Sequence, residues 1–265
     1  IIFLLSFFAY SSGDFRLDAS SDTLVLENDD DLKKFRDINR NYQSNEFLIV
    51  TFTDPKKIIT DRNLDLINEF ILKVELFKWV QNTQSIFNVP LLEINNQTLT
   101  DLVDNILTIE SEEISLFDAE KELSSSPIFK NLIISEDGTS TGILINIKKN
   151  NEFDTIINER DKLNETTNLS ESQIIKRNIV NKKYEILKRK LDIERSNNIQ
   201  EIRNLIGDFE NKELTINLGG VPMIADDTIR FVKNDILIFG TGAFIFILSV
   251  LFIVFRDPIW MIVCI

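Results

Sequence analysis

The chain has 265 residues, with 42 acidic against 29 basic side chains and a net charge of −13. That balance argues against a nucleic-acid partner, because phosphate backbones attract basic faces and repel acidic ones. There is no histidine, which removes the commonest metal ligand and general base together with every Ser-His-Asp or Cys-His arrangement.

The first ten residues, Ile1 to Tyr10, are apolar and long enough for about half a bilayer. No basic stretch precedes them and no small-residue cleavage site follows, so they read as the outer half of a membrane helix rather than a signal peptide. From Ser11 to Asp235 the chain is mostly polar, enough for one sizeable domain or two small ones. Within it, Asp29-Asp30-Asp31 lacks the alternating ligands, glycine and closing glutamate of a calcium loop. The acidic run instead marks the start of a helix over Leu32 to Tyr42, where it complements the helix dipole.

Glu46 to Thr53 (EFLIVTFT) is rich in β-formers and is closed by Asp54-Pro55. A helix follows over Asp61 to Lys78, with Asp61 as N-cap. Its apolar stripe, Leu64, Ile67, Ile71 and Val74, is assigned to the core rather than to a substrate. Val80 to Phe87 is extended again and ends at Asn88-Val89-Pro90. A short helix over Leu116 to Leu123 stops before Pro127. Phe129 to Ser135, the turn Glu136-Asp137-Gly138-Thr139, and Ser140 to Ile147 read as a β-hairpin, since glycine accepts the positive φ of such turns.

Glu152 to Ser170 is Asn-, Thr- and Glu-rich and reads as a loose linker. Glu171 to Phe209 forms a long charged amphipathic helix or helical hairpin, with Val180, Tyr184, Leu187 and Leu191 on one stripe. Its basic residues alternate with Glu185, Asp192, Glu194 and Glu201, the pattern of a solvated face rather than of a nucleic-acid or lipid site. Three glycosylation sequons begin at Asn96, Asn164 and Asn168, and chance accounts for them in so Asn-rich a chain. A strand over Glu213 to Leu218 runs into Gly219-Gly220-Val221-Pro222, a flexible elbow that lacks the lysine and hydroxyl of a P-loop. A helix from Ala225 to Asn234 then leads through Asp235 into the membrane run.

Ile236 to Phe255 (ILIFGTGAFIFILSVLFIVF) contains no charge. As a helix it spans roughly 30 Å, the hydrocarbon thickness of a bilayer. Arg256-Asp257-Pro258 interrupts the pattern, and Ile259 to Ile265 resumes it as the opening of a further span. Cys264 lies in this last run, so the polar domain has no disulfide. The sequence thus has the form of a piece of a larger polytopic protein, cut inside helices at both ends. One basic residue in the short loop after Phe255 favours a cytoplasmic turn and an outward-facing polar domain.

Element order predicts an α+β domain of the ferredoxin-like, split βαβ kind, flanked by transmembrane helices. Four local strings add to this: FLIVTFTDP from Phe47 to Pro55, Val80 to Pro90, Asn131 to Thr141, and Gly219-Gly220-Val221-Pro222 with Asp235 ahead of the uncharged span. With their order and spacing, the chain resembles the RND (resistance-nodulation-division) superfamily of exporters, and most closely its MMPL-like branch. The resemblance implies a first porter domain over residues 11–235, between the end of one membrane helix (1–10) and a second (236–255), with a third opening at 259–265. It implies proton-driven export of a hydrophobic or lipid-like substrate from a bacterial inner membrane. The implied partners are the bilayer, the rest of the same polytopic chain, and further copies in a homo-oligomer.

The resemblance brings no catalytic residue, cofactor or metal site, and it leaves the substrate-binding residues unassigned. No proton-relay residue is assigned either, because the apolar runs contain no ionisable carboxylate or amine. Two other readings share the architecture: an extracytoplasmic sensor or receptor domain, and an accessory of protein translocation. A membrane-bound enzyme is the weakest of the options, since nothing pairs the many carboxylates with a nucleophile, metal cluster or cofactor loop.

Overall fold

The computed structural model describes residues 34, 46–92, 107–111, 113–166, 169–210 and 214–256. The chain divides into two compact units, one of them Gln43–Met223, and the other takes up the chain from Ile224. The expected spans at 1–10 and 259–265 lie outside the described residues, as do Asp29 to Asp31. Of the helix expected over 32–42, Lys34 alone is described, and it is helical.

The unit Gln43–Met223 is built on four strands, β1 (Phe47–Thr53), β2 (Val80–Gln84), β3 (Ser140–Ile147) and β4 (Thr215–Gly219), in the order β2-β3-β1-β4, every neighbouring pair antiparallel. Strand β1 (Phe47–Thr53) alternates with period two, so Leu48, Val50 and Phe52 are fully buried while Thr51 and Thr53 face the other way. Helix α1 (Asp61–Glu75) covers the buried face with Leu64, Ile67, Phe70, Ile71 and Val74. Its N-cap is Thr60 rather than Asp61. The Thr60 hydroxyl accepts from the Asn63 N–H at 3.3 Å, which leaves Asp61 inside the first turn, where its charge suits the dipole.

Strand β2 (Val80–Gln84) pairs with β3 and is followed by a single 3-10 turn, Ile86–Asn88, closed by a capping box at Ser85. Helix α2 (Leu116–Ser125) starts at Ser115, whose hydroxyl accepts from the Asp118 N–H at 3.1 Å. The expected hairpin is half present. The turn exists, with Gly138 at φ +69° and its N–H bonded to the Ser135 carbonyl at 3.0 Å. Residues 129–135, however, form no strand. Asn131 adopts φ +59° and folds the chain back, leaving isolated bridges at Lys130–Ile134 and Ile134–Thr141. The reason is topological. β3 (Ser140–Ile147) already has β1 on one edge and β2 on the other, so a local partner finds room only at its first residues.

The loose linker expected at 152–170 is mostly helix. Helix α3 (Asn151–Glu165) is capped by the Asn150 side chain, which accepts from the Phe153 N–H at 3.0 Å. It lies antiparallel to helix α4 (Glu171–Phe209). The ring of Phe153 stacks on Tyr184 at 5.6 Å, Ile156 and Val180 are buried, and Lys176–Glu159 and Lys183–Glu152 pair at 2.6 and 3.4 Å. Residues Glu171 to Phe209 therefore form one continuous long helix and not a hairpin within those bounds; the antiparallel arm is α3, from the stretch expected to be a linker. The C-terminal part of α4 turns to the core, burying Ile199, Ile202, Leu205, Ile206 and Phe209.

Strand β4 (Thr215–Gly219) adds to the free edge of β1, and helix α5 (Val221–Phe255) begins two residues later. The four-residue elbow expected at 219–222 contracts to Gly220 at φ +119°. Pro222 sits in the first helical turn, where a missing N–H costs nothing. A Cβ at Gly220 would stand 2.8 Å from the Phe47 carbonyl oxygen and 3.2 Å from the Leu48 Cα. Gly220→Ala is thus expected to destabilise this unit by more than about 1 kcal/mol. Gly219→Ala, whose Cβ would meet the Ile49 carbonyl at 3.9 Å, should cost clearly less in the same urea titration.

Candidate functional site

In chain order the first polar contacts of note lie where β1 leaves the sheet. Asp54 accepts from the Lys56 N–H and from the Asn63 amide, both at 2.9 Å, and its own N–H donates to the Thr139 carbonyl at 2.9 Å. Asp137 accepts from the Ser135 hydroxyl at 2.6 Å and from the Thr139 hydroxyl at 2.8 Å. Lys57 and Glu120 pair across the same corner at 2.5 Å. These bonds hold both carboxyls below their usual range, led by the Lys56 N–H for Asp54 and by the Ser135 hydroxyl for Asp137. They serve turn geometry: each lone pair in use is aimed at a neighbouring backbone or side chain of the corner.

Because the folded pKa of Asp54 lies below its ordinary 3.8, its ionised form stabilises the fold at neutral pH, and that contribution is lost as pH falls past 3.8. Asp54→Asn should therefore be less stable than the parent at pH 7. The gap should narrow at pH 3, read from urea midpoints at the two pH values.

Leu64, Ile67, Ile71 and Val74 are all buried in the core, as the sequence predicts, and Phe70 joins them from the same face. Among the described residues, two of the cavities on the unit stand out. One, of about 70 Å³, lies among Glu46, Leu48, Leu191, Arg195 and Ile199. The other, of about 170 Å³, lies among Asp61, Leu64, Asp65, Phe87 and Glu110. Both fall below the roughly 300 Å³ at which small-molecule pockets begin. Among the described residues, no group of three or more His, Cys, Asp or Glu side chains is placed to hold a metal.

Helix α5 is the feature with functional content. Its charged residues, Asp226, Asp227, Arg230, Lys233 and Asp235, all precede Ile236, and Arg230 pairs with Asp226 at 2.7 Å. Beyond that point the helix is apolar all round. The Ser249 hydroxyl, a polar group within the run, donates back to the Ile245 carbonyl at 2.8 Å, so it carries no open donor. Leu237, Phe239, Phe246 and Ile253 are 69–71% exposed. Such a surface has no stable place in water, whereas in a bilayer its backbone is satisfied internally and its side chains meet acyl chains. Among the described residues this is the one helix long and apolar enough to cross a membrane. The helix ends at Arg256, which takes φ +50° and donates its N–H to the Phe252 carbonyl at 2.9 Å.

These features define a class: an α+β domain whose closing strand leads, through one glycine, into a helix fit to span a membrane. Residues 189–265 match the MMPL family, a stretch that takes in the inner part of α4, then β4 and α5. The resemblance seen in the sequence thus holds over the part of the chain that contains the membrane-length helix. No curated protein matches the chain. Of the sequons, Asn164 lies in the last turn of α3, and Asn96 and Asn168 fall outside the described residues.

Proposed function

We propose that the chain is part of a proton-driven RND/MMPL-like transporter that exports a hydrophobic or lipid-like substrate. In this reading residues 11–235 are its extracytoplasmic porter domain and form part of the substrate path. α5 is a transmembrane helix of a multi-pass protein in a bacterial inner membrane. The observation that carries the reading is the MMPL match across β4 and α5, the strand-to-membrane junction itself. The strand order supports the porter part: β1 and β2 flank β3, and β3 and β4 flank β1, so each split βαβ pair encloses one antiparallel strand.

The reading assigns this domain a path and a lever rather than chemistry. Protons would move on carboxylates in other membrane helices, since Ile236 to Phe255 contains none. The substrate would pass along the surface of the domain or between domains, since the two cavities seen among its described residues are small. The test is reconstitution of the full-length protein in proteoliposomes loaded with a fluorescent lipid, with a proton gradient imposed across the membrane. Efflux that stops on adding a protonophore is the expected result. Efflux that ignores the gradient, or none at all, overturns the proposal.

A further inference from the structure

Helix α1 and the inner part of α4 cover one face of the sheet, against Leu48, Val50 and Phe52. The opposite face is built from the alternate residues, Phe47, Ile49, Thr51 and Thr53 on β1 with the residues paired to them on β3 and β4. None of these is buried. The apolar centre is Phe47 with the directly paired Ile49 and Leu144. Around it the polar groups bind one another: the Thr53 and Ser140 hydroxyls stand 2.8 Å apart, and the Asn146 amide donates to the Asn82 side-chain carbonyl at 2.7 Å. Charged residues make up 27% of the chain, yet none stands at the positions of the four strands that share this face. Such depletion of charge marks the centre of a protein interface rather than a solvated surface.

The chemistry of the face selects its occupant. A charged partner finds no opposite charge here, and three apolar side chains inside a polar ring are too few to hold a lipid surface. Hydroxyls and amides each donate and accept, so a face made of them complements its own copy, as a face of one charge sign cannot. The net charge of −13 disfavours contact between copies over most of the surface, and this face is free of that repulsion. We propose that it is a two-fold contact between two copies of the chain, sheet against sheet, with Phe47, Ile49 and Leu144 at the centre. Four strands about 4.8 Å apart give a face roughly 20 Å wide. Its area falls at the low end of specific interfaces, so the association is weak, in the micromolar range.

Energy transfer between two dye-labelled pools of the full chain, in detergent with empty micelles in excess, reads the contact. The dyes sit on the exposed Ser125→Cys in a Cys264→Ser background. Thr51 lies on a central strand between Gly142 and Asn217, and the glycine leaves room for a longer side chain. The parent should self-associate below about 100 µM. Thr51→Lys and Thr51→Glu should each weaken the association at least about tenfold, since every copy then meets its own charge. An equal mixture of the two should associate to within about threefold of the parent, which also shows that both variants fold. Asn217→Lys and Asn217→Glu, at an exposed position beside Thr51, repeat the test independently.

No transfer in the parent at that concentration overturns the proposal, and so does transfer that the charged variants leave unchanged. Mixtures of Lys and Glu variants that associate no better than either variant alone, at both positions, overturn it too. A monomeric parent whose efflux fails on Thr51→Lys gives the face to the substrate and overturns it as well.

Discussion

Phe70→Ala is expected to cost the α+β unit about 3–5 kcal/mol, enough to unfold a domain of ordinary stability. Phe70 is fully buried. Its ring stands edge-on between Phe52 of β1, at 5.2 Å and 79°, and Phe209 of α4, at 5.4 Å and 90°. It is the piece through which strand, first helix and long helix share one core. Truncation therefore removes buried area, leaves a cavity that three elements cannot all close, and deletes two edge-to-face contacts. Leu72→Ala, on the same helix but 59% exposed, should stay within about 0.5 kcal/mol of the parent. Trp79 reports the transition, since it stacks on Phe77 at 5.7 Å and its indole N–H donates to Glu201 at 2.8 Å. Trp260→Phe removes the only other tryptophan signal. A loss at Phe70 no larger than at Leu72 would mean that the three elements do not share this core.

The second large effect lies in α5. Ile245 is at the middle of the uncharged run Ile236 to Phe255. On insertion scales an arginine at a helix centre costs about 2.5–3.5 kcal/mol, while isoleucine contributes a few tenths favourably. Ile245→Arg, with the segment placed in a host membrane protein, should lower the inserted-to-translocated ratio by about two orders of magnitude. Lys233→Arg, which precedes the run, should leave the ratio unchanged. Glycosylation of engineered sites on either side of the segment reads it out. Equal insertion of the Ile245→Arg segment and its parent would argue that the run is not held at bilayer depth.

Most of the fold was legible where local chemistry and tertiary structure agree. Strand β1 announces itself by strict alternation, and α4 runs between the bounds that its sequence pattern predicts, Glu171 and Phe209. α5 is read from composition alone. The misreadings have physical causes. α3 was hidden by Asn, Thr and Glu. Its usable signal was the spacing of Phe153, Ile156, Ile157 and Leu163, which places an apolar side against α4 despite a polar average.

Residues 129–135 look like a strand because they are β-branched, but a strand needs an open edge. β1 and β2 reach β3 from about 90 and 60 residues away, and no local pattern reports such pairing. Thr60 and Asp61 are both good N-cap residues, and sequence alone does not separate them. The candidate site was legible as a membrane helix and no further. Phe70, the centre of the core, needed coordinates, because period alone does not say which apolar residues are covered.

The central claim is that α5 crosses a bilayer with the α+β unit on its extracytoplasmic side. Single cysteines test it most directly in a Cys264→Ser background, which removes the chain's only native thiol. Ser125→Cys samples the exposed end of α2, and Arg256→Cys the far end of α5. In intact cells a membrane-impermeant maleimide should label the Ser125→Cys protein at once and the Arg256→Cys protein only after permeabilisation. Equal labelling of the two before permeabilisation would contradict the account.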